Sequence, residues 1–179
     1  LRGEQEYAPR FRVVWPDGSV RILKAMSRTT YDASGRPLRM IGVNYDVTEL
    51  DAVGAALRDS EDRFRYLFEH APLPISLTGL DGVLHANAAF LETLGYSLQE
   101  LTDATWRDVC HPDDMDLTQH VIDQLVSGAR DRLRFVKRFL HKSGEIVWAD
   151  VSTSLRRDAA GAPLYVVAYW ADITETRRL

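Results

Sequence analysis

A block near the start of this 179-residue chain recurs, without gaps, at its end. With Gly18 placed on Gly144, Asp32 falls on Asp158, Ala33 on Ala159, Gly35 on Gly161, Pro37 on Pro163 and Leu38 on Leu164. Further along, Asp46, Thr48 and Glu49 fall on Asp172, Thr174 and Glu175. These make nine identities between 17–50 and 143–176, where chance gives roughly two. The matched residues are turn formers and caps, which fix backbone geometry. The chain thus carries two copies of one supersecondary unit, the first without its front half.

Each copy reads as three antiparallel strands. In the second, 133–140 is followed by a turn at Lys142-Ser143-Gly144, then by 146–155, rich in β-branched residues. Asp158-Ala159-Ala160-Gly161 turns the chain again into 164–173. The first copy does the same over 10–15, 20–28 and 38–47, with turns at Pro16-Asp17-Gly18 and Asp32-Ala33-Ser34-Gly35. Each third strand ends in Asp-(Val or Ile)-Thr-Glu. The threonine there is expected to N-cap the next helix, with Asp51 as a weak capping-box partner of Thr48.

Between the copies, Leu50, Val53, Leu57, Phe64, Leu67 and Ala71 recur at steps of three and four, with Ser60 in the one polar slot. That spacing predicts an amphipathic helix, lying either on a sheet of its own domain or against a second chain. From residue 74 two short strands, 75–78 and 83–86, flank the tight-turn signal Asp81-Gly82. Helical segments follow over 88–94, closed by Gly95, and over 113–126, ended by Gly128, with short turns over 97–101 and near 106–109 between them. The acidic run Asp113, Asp114 and Asp116 reads as a solvated, dipole-favoured helix start.

A formal net charge of −4, from 22 basic and 26 acidic side chains, supplies no basic face for nucleic acid or an anionic membrane. The longest apolar-leaning stretch, 164–173, falls short of the ~20 residues that a bilayer span needs. No charged n-region followed by an apolar h-region opens the chain. One cysteine, Cys110, excludes an internal disulfide, fits a reducing compartment and reads as a small buried residue. A cytoplasmic location is expected.

The element order and its punctuation resemble the PAS family of sensory domains. The residues that carry the resemblance are Asp81-Gly82, Asn87 before Ala88-Ala89-Phe90, Leu94-Gly95-Tyr96 with Leu101, His111-Pro112-Asp113-Asp114, Gly144 with Trp148, and Asp172-Ile173-Thr174-Glu175. The resemblance implies an α+β fold, a five-stranded antiparallel sheet with helices on one face. On this reading 1–50 is the C-terminal half of one such domain, 51–73 a linker helix, 74–176 a complete domain and 177–179 the start of an output-linking helix. It further implies a sensory input and dimerisation module upstream of an output domain, a histidine kinase first and a diguanylate cyclase second. The homodimer would form through the linker helix and the sheet faces. Asp46 and Thr48, and likewise Asp172 and Thr174, would couple each last strand to its helix.

The resemblance also implies a cavity beneath the sheet. Strand alternation puts Ala168 and Trp170 on one side, Val167 and Tyr169 on the other. By analogy the first pair faces inward and joins Ser76, Thr78, Ala149 and Val151, while Trp148 faces outward. Phe90, Leu94, Leu101 and Trp106 complete the candidate lining. Two tryptophans in one space favour a small or collapsed pocket, leaving a small-molecule sensor and a closed-core structural spacer both open. In light-sensing relatives the reactive cysteine and the glutamine would fall here on Trp106 and Trp170, with Asn44 in the first copy, so flavin is not expected. Haem-binding relatives draw a ligand from the long helix, where His120 stands. A lone histidine beside an apolar stripe is more often satisfied in the core or exposed, and no cofactor is expected. No phosphate loop, zinc pattern or nucleophile elbow occurs, and no catalysis is read.

Overall fold

Glycines in left-handed backbone set the reversals of two separate sheets. The computed structural model describes residues 8–178. Strands β1 (Arg10–Val14), β2 (Val20–Tyr31) and β3 (Pro37–Asp46) form an antiparallel sheet in that order. Helix α1 (Thr48–Glu69) follows. Then come β4 (Ile75–Gly79), β5 (Leu84–Ala86), α2 (Ala88–Leu94), a 3₁₀ turn (Pro112–Asp114) and α3 (Met115–Val126). Strands β6 (Arg132–Leu140), β7 (Ile146–Arg157) and β8 (Pro163–Asp172) lead to α4 (Thr174–Arg178). The second sheet runs β5-β4-β8-β7-β6, every pairing antiparallel. The chain divides into two compact units between Arg63 and Phe64, inside α1. Residues 1–7 of the expected half domain and Leu179 of the output-linking helix lie outside the described residues.

The sequence repeat is a repeat of register. Leu23 pairs with Asp46 as Ala149 pairs with Asp172, and Val14 with Val20 as Leu140 with Ile146. Even the irregularity recurs, between Thr30 and Tyr31 and between Arg156 and Arg157. The cause is local. Gly18 and Gly144 turn at φ 83° and 89°, and Gly35 and Gly161 at 80° and 86°, values open to glycine without steric cost. Asp32 and Asp158 hold the second turn alike, each carboxylate accepting from the backbone N–H groups two and four residues on.

The copies differ in burial. Among the described residues of the first unit, Val47 alone is buried, and every residue of β3 is exposed. Helix α1 also buries nothing: Leu50, Val53, Leu57, Phe64 and Leu67 each remain more than half exposed. Ala71 falls beyond the helix end. In the second unit, one face of the five strands closes over α2 and α3 with Leu84, Phe90, Leu94, Val109, Phe139, Ala149 and Trp170 at its centre. Burying such side chains contributes roughly 1.5–3 kcal/mol each.

Asn87 joins the pieces. Its Oδ1 accepts from Phe90 N (3.0 Å) as the N-cap of α2, and from Ile75 N (2.9 Å) at the start of β4. Its Nδ2 donates to Phe68 O and Leu73 O, both at 3.0 Å. Gly95 ends α2 at φ 75°, where a β-carbon would stand 2.5 Å from His141 Nε2. The segment 106–109 forms turns.

Candidate functional site

The Asp-x-Thr ends of β3 and β8 form the same corner. Thr48 Oγ1 accepts from Ile22 N (2.9 Å) and donates to Asp46 Oδ1 (2.5 Å), which also accepts from Thr48 N (2.8 Å). Thr174 Oγ1 accepts from Trp148 N (2.9 Å) and donates to Asp172 Oδ1 (2.5 Å), with Thr174 N at 2.8 Å. This corrects the sequence expectation for both threonines. Neither hydroxyl caps its helix; each reaches instead to the strand paired beside it, Thr48 to β2 and Thr174 to β7. Asp51, expected to complete a capping box, instead receives Arg10 Nη1 at 2.7 Å. The backbone continues the link, since Val47 N donates to Ile22 O and Ile173 N to Trp148 O. The last strand, the strand paired beside it (β2 or β7) and the outgoing helix thus meet at one side chain. Trp148 faces away from the core, with the guanidinium of Arg177 4.2 Å and that of Arg138 5.3 Å from its ring centre, cation–π stacking that flanks the corner.

Beneath the second sheet lies a cavity of about 50 Å³. Ser76 and Thr78 of β4, Phe90 of α2, Trp106, Val151 of β7 and Ala168 of β8 all line it, as does Thr153. Leu94, Leu101, Ala149 and Trp170 do not; they belong to the packed core beside it. The reason for Trp170 is aromatic packing. Its ring stacks on Phe139 at 4.7 Å and meets Phe90 edge-on at 5.7 Å, so its bulk is taken up before it reaches the space.

Lys137 also lines the cavity, and sequence reasoning missed it. It occupies an inward slot of β6 between Phe135 and Phe139, only 4% exposed. Its Nζ stands 4.5 Å from the Phe139 ring centre and 5.8 Å from that of Trp106. Burial pushes its pKa below the ordinary lysine value, opposed by the Cys110 thiol and by Asp114. The signal was present as Phe-x-Lys-x-Phe, a cation at an apolar place in a period-two strand.

One other expectation changes. Asp114 is buried rather than a solvated cap: its carboxylate accepts from Arg138 N (2.7 Å), Nε (3.0 Å) and Nη2 (2.6 Å). These bonds hold its carboxyl below the usual range, against the opposing effect of burial. His111 Nδ1 supplies the cap, accepting from Asp113 N at 3.2 Å. His120 Nε2 lies 2.8 Å from Gln124 Nε2, one helical turn on, and does not line the cavity. Cys110 is fully buried, its Sγ 3.6 Å from Thr118 Oγ1. Among the described residues no helix is long and apolar enough to cross a membrane.

A protein-family model described as PAS fold matches residues 1–44 and 83–169. The chain is 33% identical over 123 residues to the probable diguanylate cyclase DgcE of Escherichia coli K12, a match covering 68% of this chain and 11% of that protein. It is 28% identical over 181 residues to the biofilm dispersion protein BdlA of Pseudomonas aeruginosa, covering 99% and 42%. With the sensor histidine kinase TmoS of Ectopseudomonas mendocina it shares 26% over 124 residues, covering 69% and 13%. The chain therefore spans less than half the length of these curated relatives. Among solved structures, the PAS domain of an HTR-like protein from Haloarcula marismortui superposes with a TM-score of 0.55 at 22% identity, covering 69% of this chain and 99% of that one. A LOV protein from Rhodobacter sphaeroides gives 0.57 at 17%, covering 68% and 70%. Matching family, matching sheet order and the doubled Asp-x-Thr corner agree: this chain belongs to the PAS family.

Proposed function

We propose that this chain is a sensory input and self-association module of a multidomain signalling protein. A change in the cavity of the second unit shifts its sheet, and the corner at Asp172 and Thr174 passes that shift to the helix leading to an output domain. The observation that carries this is the Thr174 hydroxyl, bonded at once to the neighbouring strand β7 at Trp148 and to Asp172 at the end of β8. Asp46 and Thr48 repeat the device before α1. The names of similar proteins, a sensor histidine kinase and a probable diguanylate cyclase, support those two output classes. No catalysis is assigned to the chain itself. The test is the double variant Asp172→Ala, Thr174→Ala in a protein carrying the output domain. Output is expected to lose its regulation while circular dichroism keeps the wild-type signature. Unaltered regulation would overturn the relay.

The proposed partner is a second copy, not nucleic acid or membrane, and the proposed location is cytoplasmic. The exposed stripe Leu50, Val53, Leu57, Phe64 and Leu67 recurs at the period of paired helices. Sedimentation equilibrium should give a dimer that Leu57→Glu converts to monomer. No haem or flavin enters the proposal, and absorbance of the purified protein checks that directly. A second reading, a structural spacer, draws support from how fully Phe90, Phe139 and Trp170 fill the core beside the cavity.

A further inference from the structure

The cavity beneath the second sheet holds a buried ammonium group and, among the described residues, no carboxylate in its lining. Lys137 brings three N–H donors into a site where it is 4% exposed. Among the described residues no carboxylate forms an ion pair with it. The nearest candidate, Asp114, is engaged by Arg138 through both oxygens. Ser76 and Thr78 line the same space, are buried, and have no side-chain hydrogen bond to any described residue. The other two hydroxyls of the lining are used, Thr118 donating to Asp114 O and Thr153 to Val167 O. In the adjoining core, Trp170 Nε1 is buried with no hydrogen-bond partner.

Burying an ammonium group without a carboxylate beside it is costly, and the Ser76 and Thr78 hydroxyls in the same lining have no side-chain bond to a described residue to give up. An anion placed among these groups supplies the counter-charge and takes up those hydroxyls. The remaining wall is apolar: Leu84, Phe90, Val109, Val121, Ile122 and Val166. A bare inorganic ion would leave that wall without contact, whereas a short hydrocarbon tail would fill it. A space of about 50 Å³ admits on the order of four water-sized positions, which matches an acid of two to four carbons. From the buried Lys137, the free Ser76 and Thr78 hydroxyls and the apolar wall, we infer that the cavity binds a short-chain monocarboxylate, its head group on Lys137 and its tail toward α3. This rests on the sensory reading above and names the ligand class for the same site.

The probe is sodium propionate, titrated into the full chain by calorimetry and by amide NMR at constant ionic strength, with propionamide as the neutral isostere and sodium nitrate as the anion without a tail. Propionate is expected to bind at least tenfold tighter than either control, with shifts at residues of β4, β6 and α3. Lys137→Met should weaken propionate at least tenfold and, by removing an unpaired buried charge, raise the thermal midpoint of the unliganded protein. Ser76→Ala, which keeps the lysine, should weaken propionate severalfold and leave nitrate unchanged. Equal binding of propionate and propionamide would overturn the ligand class while leaving a sensory cavity in place. So would unchanged propionate binding by the Lys137→Met protein, or a midpoint that falls, which would make the lysine a structural support. Absence of propionate binding up to about 10 mM would also overturn it. None of these outcomes touches the corner test at Asp172 and Thr174, which reads output rather than binding.

Discussion

Asn87 concentrates more of the second unit in one side chain than any apolar residue does. It caps α2, anchors the first residue of β4 and receives the chain leaving α1, with all four bonds between 2.9 and 3.0 Å. Removing the amide leaves two buried N–H groups and two carbonyls short of a partner, so Asn87→Ala should cost about 2–4 kcal/mol in urea unfolding. Asn87→Asp, which keeps the acceptor and loses the donors, should fall between. Asp114 sets an acid limit instead. Its folded pKa lies below the ordinary 3.8 because Arg138 donates to it. The stabilisation it gives is therefore complete above about pH 4 and is lost as pH falls through the lower folded value. Asp114→Asn should be less stable than wild type at pH 7, with the difference shrinking toward pH 2. A constant difference across that range would show that packing, not charge, matters there.

At the scale of elements, the corner shows what a sequence tells and what it hides. Register was legible because turns are local: Gly18 and Gly144, or Asp32 and Asp158, fix reversals from within four residues. The role of Thr48 and Thr174 was not, because the groups that claim their hydroxyls, Ile22 N and Trp148 N, lie 26 residues upstream. A strand partner outcompeted the neighbouring helix N–H groups that a local rule assigns. The candidate lining divides for the same reason. Strand parity put Ser76, Thr78, Val151 and Ala168 on the cavity side. No parity rule, however, could show that Phe139 would cover Trp170; Lys137, by contrast, shares the parity of Phe135 and Phe139, and only its charge hid its inward place. The corner is testable by itself. Thr174→Val keeps the shape and removes both hydroxyl bonds, so it should cost about 1–2 kcal/mol and speed exchange of the Trp148 amide. Should that amide stay as protected as before, the hydroxyl is not what ties β7 to the end of β8.

Across the whole molecule the chain contains its own control experiment. Strands β2 and β3 repeat β7 and β8 pair for pair, with the same turns and the same irregularity, so their hydrogen-bonded ladders match. What differs is cover and neighbours: β3 is exposed along its length at the edge of its sheet, while β8 buries Val166 and Trp170 and pairs on its other side with β4. If the matched β2–β3 and β7–β8 ladder bonds alone set local stability, the amides that make them would exchange alike. Net hydrogen-bond contributions are small and apolar burial dominates, and a three-stranded sheet needs a packed face to be stable. Amide exchange in dilute solution should therefore be faster at Val43 than at its counterpart Tyr169, on the order of a hundredfold or more. The gap should narrow as protein concentration rises, because a second copy that covers β1–β3 protects only the first sheet. Equal protection at every concentration would mean that register rather than burial governs opening, and would remove the reason for a partner at that sheet.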